Sequence, residues 1–335
     1  MSQPFAKLKI ALVADEATRL ALQHECQVAH LTPWHYRHVF RHWKPDLLLV
    51  ESAWQGRWNS WKYGIAAYPD HPRRTNEQLQ NMVFAAKERG IPCIFWSKED
   101  GVHFERFSAS ASLFDAIFTV DANCVPRYRN MVGKNVPVDV LMFAVQPAIH
   151  HRNGTVAGTD RRGCFLGSYS RHIHPRRRER QEMLFEAACK TGLVVYDRNS
   201  NRPSPIYRYP QLPGLEIRRR VAHAKTAPTY ATHRFALNVN TVDDSPTMFS
   251  RRLVEIMASG GMAVTTPALS VAQLFPGLCH VVDNKTQAED LFVRLHREWT
   301  EADREMVRAA CDHVHQNHTW AQRLQQIADV ARRCS

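Results

Sequence analysis

Short apolar runs alternate with polar segments along most of this chain. The runs LKIALVA (8–14) and DLLLV (46–50) lack alternating polar positions, as is typical of strands buried on both faces of a parallel sheet. Stretches between such runs suit helices; segment 73–89, for example, places Met82, Ala85 and Ala86 on one face. This alternation of strands and helices predicts an α/β protein with parallel sheets covered on both sides.

The pattern occurs in two series separated by segment 146–161, which is rich in proline, glycine and polar residues and has no periodicity. Before this segment we predict strands at 8–14, 26–31, 46–51, 92–96, 116–120 and 138–143. After it we predict strands at 163–168, 192–196, 235–240, 262–266 and 280–282, and helices near 176–191, 228–233 and 251–259. Residues 302–333 are predicted to form a polar helical tail.

The chain length of 335 residues favours two domains over one. We expect a first domain at 1–145, a linker at 146–161, a second domain at 162–310 and a final helix at 311–335 that packs back towards the first domain. Two open parallel sheets would face each other across a cleft. Ligands in such folds bind at the carboxyl ends of the strands.

Composition narrows the class of protein. Hydrophobic residues make up 44% and charged residues 23%, as in a folded soluble protein. No run reaches the roughly 18 apolar residues of a membrane helix, and the first residues lack a signal-peptide core, so we expect a cytoplasmic location. The eight scattered cysteines show no zinc spacing. The net charge of +12 favours an anionic partner, such as a nucleotide, an acidic acceptor, a membrane face or a nucleic acid.

The stretch 244–266 contains the strongest local signal. Ser245 and Pro246 suit the start of a helix, which then presents Arg251, Arg252 and Glu255 before two glycines end it. A helix N-terminus attracts phosphate, and a carboxylate can accept hydrogen bonds from two sugar hydroxyls. An ordinary intrahelical ion pair between the arginines and Glu255 is the alternative.

Each of three predicted strand ends in the first half carries a carboxylate, and two also carry aromatic rings. These are Glu51 in ESAWQG, the loop SKEDGVH at 97–103, and Asp121. Acids and rings together are typical of carbohydrate-binding surfaces. The alternatives are that Glu51 and Asp121 cap helices, that 98–100 is a solvated charge run, and that the tryptophans pack in the core.

Several long motifs resemble CgeB-like glycosyltransferases. They are ESAWQGRWNSWKYGI (51–65), the segment 91–128, FAVQPAIH (143–150), CFLGSYSRHIHPRRRER (164–180), 235–266 and HTWAQR (318–323). The second half resembles the group 1 glycosyltransferase domain in general. The resemblance implies the GT-B fold, with two Rossmann-like domains, a nucleoside-diphosphate sugar in the second, an acceptor in the first, and no cofactor or bound metal.

The resemblance also implies roles for single residues. Glu255 corresponds to the acid that accepts both ribose hydroxyls of the donor. The other donor-site candidates are Gly167, Ser168, Arg171, Asn238, Thr247, Met248, Phe249, Ser250, Arg251 and Arg252. The acceptor-side candidates are Trp54, Gln55, Trp96, Lys98 and Glu99.

One position departs from the resemblance. Thr247 stands where retaining relatives carry an acid, which favours a catalytic base in the first domain. Asp100, His103 and Glu51 are the candidates, with Asp100 preferred.

Two other classes of function remain open. A nucleotide-sugar epimerase could use the same scaffold, and a basic protein could bind a nucleic acid or glycosylate it. The basic segments 171–180 and 218–225 lack base-reading motifs, so nucleic acid is the weaker expectation. They also leave open peripheral association with an anionic membrane face.

Overall fold

A computed structural model describes residues 4–152 and 158–334. The chain forms two compact units. The first contains the residues up to Gln146, the short segment Ser245–Met248 and the chain from Thr319 onward. The second contains the remainder, Pro147–Asp244 and Phe249–His318. Residues 153–157, within the predicted linker, lie outside the described residues.

The first unit contains a parallel sheet of six strands in the order β2-β1-β3-β4-β5-β6. Its strands are β1 (Lys9–Val13), β2 (Gln27–His30), β3 (Leu47–Glu51), β4 (Cys93–Ser97), β5 (Ala116–Thr119) and β6 (Val138–Val140). After β2 the chain returns to the other side of β1, so the strand order reverses between β1 and β3.

The second unit contains another parallel sheet of six strands, in the order β12-β11-β10-β7-β8-β9. Its strands are β7 (Asp160–Gly167), β8 (Leu193–Asp197), β9 (Leu215–Arg219), β10 (His233–Asn238), β11 (Ala263–Thr265) and β12 (His280–Val281). Here the strand order reverses between β7 and β10.

Helices connect these strands. They are α1 (Glu16–Leu22), α2 (Tyr36–His38), α3 (Glu77–Lys87), α4 (Phe104–Ala111), α5 (Val125–Val132), α6 (Pro175–Cys189), α7 (Thr226–Thr232), α8 (Arg251–Ala258), α9 (Leu269–Leu274), α10 (Lys285–Arg297), α11 (Glu301–Asn317) and α12 (Trp320–Cys334). A π-helical turn, Val39–Trp43, directly follows α2.

Strand β3 shows why unbroken apolar runs predicted the sheets. All five of its residues are buried. Leu48 and Val50 face one apolar core, while Leu47 and Leu49 face another core on the opposite side of the sheet. Because neither face meets water, neither face needs polar side chains. The predicted parallel α/β architecture is confirmed.

Several elements differ from the sequence-based prediction, three of them clearly. Strand β9 has a largely exposed sequence, LEIRR, at the sheet edge, so it lacks the apolar run that marks a buried strand. Helix α10 was also not predicted. The polar tail is two helices, because the chain leaves helical geometry at His318 and Thr319 pairs with Val145. Within the described residues we find no helix that is both long and apolar enough to span a membrane.

Candidate functional site

In the second unit, the carboxyl ends of β7 and β10 lie side by side at the point where the strand order reverses. Loops leaving the two strands diverge there, which opens the crevice in which ligands of doubly wound sheets bind. Gly167 ends β7 and Asn238 ends β10. The fold therefore brings two predicted donor-site residues, Gly167 and Asn238, to the crevice between these strand ends.

Gly167 allows an arginine to lie across the end of its strand. A Cβ atom at this position would lie 2.5 Å from Phe165 Cε1 and 2.6 Å from Arg252 Nη2, distances that normal packing does not allow. Arg252 donates from Nε to the Leu166 carbonyl at 2.7 Å, and its guanidinium lies 4.3 Å from the centre of the Phe165 ring. Because Gly167 has no side chain, the guanidinium group of Arg252 can lie at the crevice, held by the Leu166 carbonyl and the Phe165 ring.

Asn238 and Asn240 form buried hydrogen bonds next to the start of α8. Asn238 is fully buried and donates to Asn240 Oδ1 at 3.1 Å and to Thr265 Oγ1 at 2.9 Å. Asn240 Oδ1 in turn accepts the backbone N–H of Ser250, the residue before α8. These amides therefore hold the N-terminus of α8 in place, and Asn238 acts through them.

The predicted helix at 251–259 is confirmed as α8, which begins at Arg251, but the predicted helix start at Ser245 and Pro246 is wrong. The Ser245 hydroxyl instead donates to Asp121 Oδ1 at 2.6 Å and accepts the Met248 N–H at 3.0 Å. A serine that bonds to nearby backbone amides stabilises a turn as readily as a helix N-terminus. The sequence signal was therefore ambiguous.

Thr247 lies in the same turn, within the first unit. Its hydroxyl donates to the Val120 carbonyl and accepts the Ala122 N–H, both at 2.9 Å. The hydroxyl is thus engaged with the backbone that follows β5. It fixes the turn, and this reduces its suitability as a direct donor ligand.

Glu255 lies on α8, one turn beyond Arg251, and only 7% of its surface is exposed. Arg251 Nε lies 3.0 Å from Glu255 Oε1, so the intrahelical ion pair considered from the sequence does form. Burial acts to raise the pKa of Glu255, but the positive groups around it, first Arg251, lower the pKa below its usual value. The carboxylate is therefore ionised and can accept hydroxyl hydrogens.

Arg177, Arg198 and Arg252 form what we call the arginine cluster. Protein surroundings and the charges of Arg252 and Arg198 lower the pKa of Arg177 to about 10. The protein surroundings and the charges of Arg252 and Arg251 likewise lower the pKa of Arg198, although its side chain remains accessible to solvent. Within residues 4–152 and 158–334, none of the three forms an ion pair with a carboxylate, and Arg252 Nη1 is buried without a partner.

Three mutually repelling guanidinium groups without an acid partner indicate an anion-binding site. Of the three, only Arg252 was predicted from the sequence to bind the donor. Arg177 lay within the basic segment 171–180, where nothing distinguished it from its neighbours. Arg198 directly follows β8, and its position after a strand was the signal that could have identified it.

The remaining donor-site candidates have varied environments. Ser168 Oγ accepts a hydrogen bond from Arg198 at 3.3 Å, which places it beside the arginine cluster. Arg171 is exposed, and its backbone N–H donates to the Ile206 carbonyl.

Phe249 and Met248 are apolar anchors. Phe249 is buried in the second unit, with its ring centre 5.1 Å from that of Phe275, and Met248 packs against an apolar core of the first unit. Phe249 and Met248 therefore anchor the chain on either side of the boundary between units.

Two histidines that the sequence analysis missed lie beside Glu255. One ligand atom from each of His150, His223 and Glu255 lies within 4.8 Å of the others. Their positions, more than 70 residues apart in sequence, gave no spacing signal.

The first unit has its own reversal point, between β1 and β3, where Glu51 is fully buried. Its carboxylate accepts the Asp15 N–H at 2.5 Å, the Thr18 hydroxyl at 2.6 Å and the Lys98 ammonium at 2.8 Å. Lys98 also pairs with Asp15 at 3.1 Å, and the two carboxylates raise its pKa against the effect of burial. Glu51 and Lys98 thus form a buried network that ties three strand ends together.

Asp100 is also fully buried. Its Oδ1 accepts the Ser97 hydroxyl at 2.7 Å and the Tyr128 hydroxyl at 3.0 Å. Burial raises the pKa of Asp100 to about 6, and nearby Asp121 adds to the effect. Its pKa suits a base, but its burial keeps it from direct contact with an acceptor.

His103 is the partly exposed member of the three base candidates. It precedes α4, and its ring lies 5.2 Å from that of Trp54, which packs edge-on against Phe107. Burial, and secondly the charge of Arg106, lower the pKa of His103. The imidazole is therefore neutral at pH 7 and can accept a proton.

The acceptor-side aromatic prediction requires a correction at Trp96. Only 2% of its surface is exposed, its Nε1 donates to the Leu141 carbonyl, and its ring packs against Trp320. No ring face is left for a sugar, because Trp96 is a core residue. Gln55 is exposed and Glu99 is partly exposed, so both remain accessible.

Comparison with known proteins identifies the second half. Residues 176–329, just under half of the chain, match the family described as "Glycosyl transferase-like". This segment is therefore similar to glycosyltransferases. This confirms the group 1 glycosyltransferase prediction, while the match does not resolve the CgeB-like subfamily. No curated protein sequence matches the chain significantly.

Solved structures agree on the fold of the whole chain. HepE from Anabaena, in complex with UDP-glucose, is 13% identical, has a TM-score of 0.60, and aligns over 96% of this chain and 99% of its own. A DNA-modifying β-glucosyltransferase is 12% identical with a TM-score of 0.59, and covers 97% and 99%. Sucrose-phosphate synthase from Thermosynechococcus elongatus is 9% identical with a TM-score of 0.55, and covers 98% and 99%. The predicted GT-B fold is confirmed.

Proposed function

We propose that this protein transfers a sugar from a nucleoside-diphosphate sugar to an acceptor hydroxyl, and that it belongs to the CgeB-like group. The observation that carries the proposal is the arginine cluster. Arg198 and Arg252 donate hydrogen bonds to Ser168 and to the Leu166 carbonyl at the end of β7, and Arg177 lies close enough to feel both charges. None of the three guanidinium groups has a carboxylate partner among the described residues. An anion with at least two negative charges would relieve their mutual repulsion, and a diphosphate has this chemistry.

Glu255 supplies the second half of a donor site. Its ionised carboxylate has two oxygens and can accept hydrogen bonds from both hydroxyls of a ribose. Arg251 and Arg252 stand four and three residues before Glu255, about one helical turn along α8, which provides cations close to a diol acceptor. A nucleoside diphosphate carries a diol and a diphosphate at a short fixed separation, so it matches both features.

The arginine cluster also explains how the reaction would be accelerated. When the bond between sugar and diphosphate breaks, negative charge grows on the leaving phosphate. Fixed guanidinium groups stabilise that charge more strongly in the transition state than in the ground state. We propose that the transfer needs no metal ion because these cations perform this role.

The acceptor hydroxyl must lose a proton during transfer. Thr247 has no carboxylate to offer, and its hydroxyl is already bonded to the backbone. Of the three candidates in the first unit, Glu51 and Asp100 are fully buried, whereas His103 is partly exposed and neutral. We therefore favour His103 as the base, with Trp54 holding its ring in place.

The acceptor is proposed by class: a glycan, a lipid or a protein hydroxyl. The net charge of +12 favours an acidic acceptor and contact with an anionic membrane face. The epimerase alternative differs in one observable, because it would convert the donor with no acceptor present. NMR spectroscopy of the donor with enzyme alone distinguishes the two.

A thermal-shift screen of UDP-, GDP-, dTDP- and CDP-sugars in the presence of EDTA tests the donor site. Because a ligand that binds only the folded state raises the melting temperature, one nucleotide class should stand out. Arg198→Ala should lose most of that shift. Arg219→Ala, an exposed arginine on β9, should keep it. Absence of any shift, or an equal shift in both variants, would contradict the proposal.

A further inference from the structure

The side chains of His150, His223 and Glu255 converge within the second unit. Their ligand atoms lie within 4.8 Å of one another, and the two imidazole rings meet edge-on with centres 5.1 Å apart. Glu255 belongs to the proposed donor site, but the two histidines have no role in it so far. Their position requires an explanation of its own.

Hydrogen bonding determines which nitrogen of His150 carries the proton. The Thr226 hydroxyl donates its single hydrogen to the His223 carbonyl at 2.7 Å. It can therefore only accept from His150 Nε2, which lies 2.9 Å away. The proton is on Nε2, so Nδ1 carries a lone pair.

That lone pair has no partner among the described residues. His150 is 1% exposed, and its Nδ1 is buried without a hydrogen bond. Buried polar atoms in folded proteins are nearly always satisfied, so this lone pair is available to an ordered water or to a bound ion. Burial lowers the pKa of His150 to about 4, which keeps the lone pair available at neutral pH.

The three side chains together offer two neutral imidazoles and one carboxylate. Burial also lowers the pKa of His223, while Glu255 is ionised. Two histidines and one carboxylate are a ligand set found in zinc sites that keep an open position. Thr226 would serve as the outer hydrogen-bond partner that orients a metal-binding histidine.

We propose that His150, His223 and Glu255 bind a divalent transition-metal ion such as Zn²⁺, and that this ion and the donor nucleotide exclude each other. The second half rests on the proposed function, because it requires Glu255 to bind the nucleotide. The ion is thus a competitor of the donor and takes no part in the transfer.

The distances permit this with small side-chain movements. Zinc–nitrogen bonds of about 2.1 Å require ligand atoms roughly 3.4 Å apart, so atoms now up to 4.8 Å apart would approach by ~1.4 Å. Arg251 bonds to one oxygen of Glu255, and a carboxylate can accept at both oxygens. The positive charge of Arg251 opposes the ion, so we expect moderate affinity.

Metal binding should be measured by calorimetry with Zn²⁺ and by the visible absorption of Co²⁺. The exposed His38 and His42, four residues apart with ring centres at 4.5 Å, can chelate metal at the surface. All proteins should therefore carry His38→Ala and His42→Ala. In this background we expect one metal-binding site. Either His150→Ala or His223→Ala should lower its affinity for the metal ion at least tenfold. Absence of binding in the background protein, or binding in either variant as tight as in the background protein, would overturn the site.

Thr226→Val provides a milder change that leaves all three ligands in place. It removes the hydroxyl that orients His150, so we expect weaker binding than in the background protein but stronger binding than in His150→Ala. A valine variant that binds as tightly as the background protein would show that the hydrogen bond does not orient a ligand.

Competition between Zn²⁺ and the nucleotide is tested in a separate experiment. The zinc-loaded protein is first desalted, because free zinc ions would bind the diphosphate directly. Its affinity for UDP should fall at least tenfold relative to protein in EDTA, and His150→Ala should show no such fall. Simultaneous tight binding of both ligands would overturn the exclusion. If zinc binding requires the histidines but no nucleoside diphosphate binds in EDTA, the proposed function fails and the metal site stands.

Discussion

At the scale of single residues, Glu255 and Asp100 show what residue type can and cannot reveal. The position of Glu255 after two arginines indicated an acidic group close to cations, and the structure confirms that contact. The histidines beside it come from distant segments, so only the fold brings them together. Asp100 was the preferred base because of its motif, but sequence alone does not reveal whether a loop carboxylate is buried.

The buried Asp100 predicts a specific pH dependence of stability. Its folded pKa of about 6 exceeds the ordinary 3.8, so between these values the folded state binds more protons than the unfolded state. Wild-type stability should therefore rise relative to Asp100→Asn as the pH falls from 7 to 4, by up to about 3 kcal/mol.

Urea unfolding of both proteins across this pH range measures the difference. Asp70→Asn, at an exposed position, is the control for the loss of a carboxylate. A difference between wild type and Asp100→Asn that stays constant with pH would contradict a pKa of Asp100 that is raised by folding.

At the scale of elements, apolar runs identified eleven of the twelve strands, because a strand buried on both faces must be apolar throughout. Edge strand β9 was missed because its side chains are exposed. Ser245 was wrongly predicted to begin a helix, since a serine stabilises a turn as well as it would a helix. Patterns of burial are therefore visible in the sequence, but competing uses of a polar side chain are not.

The end of β7 allows a test of how an element builds the donor site. In Gly167→Ala the new Cβ would overlap the buried Phe165 ring and the Arg252 guanidinium. Since the ring is packed in the core, the guanidinium should move. We expect nucleoside-diphosphate affinity to fall at least tenfold and the free energy of unfolding to fall by about 1–3 kcal/mol.

Calorimetry and urea unfolding measure these two quantities. Gly64→Ala is the matched control, because a Cβ there lies 3.5 Å from its nearest neighbour, the Trp61 carbonyl oxygen, at ordinary contact distance. Unchanged nucleotide affinity in Gly167→Ala would mean that Arg252 is not held by the glycine.

At the scale of the whole molecule, the chain order of the elements does not follow the division into units. Segment Ser245–Met248 and the final helix α12 belong to the first unit, although both follow the second sheet's central strands. Leu324 and Ile327 of α12 pack in the same core as Trp96. We expected the final helix to pack back towards the first domain. Sequence periodicity predicts such a helix, whereas its packing partner depends on tertiary contacts that no local pattern encodes.

The central claim is that the second unit binds a nucleoside diphosphate through Glu255 and the arginine cluster. Calorimetry in EDTA, with the diphosphate selected by the thermal-shift screen, compares wild type, Glu255→Gln and the control Glu186→Gln, an exposed glutamate on α6. A hydrogen bond to a charged group contributes about 1.5–3 kcal/mol. We predict at least tenfold weaker binding for Glu255→Gln with its fold intact, and wild-type binding for Glu186→Gln. Equal affinity in all three proteins would contradict the account.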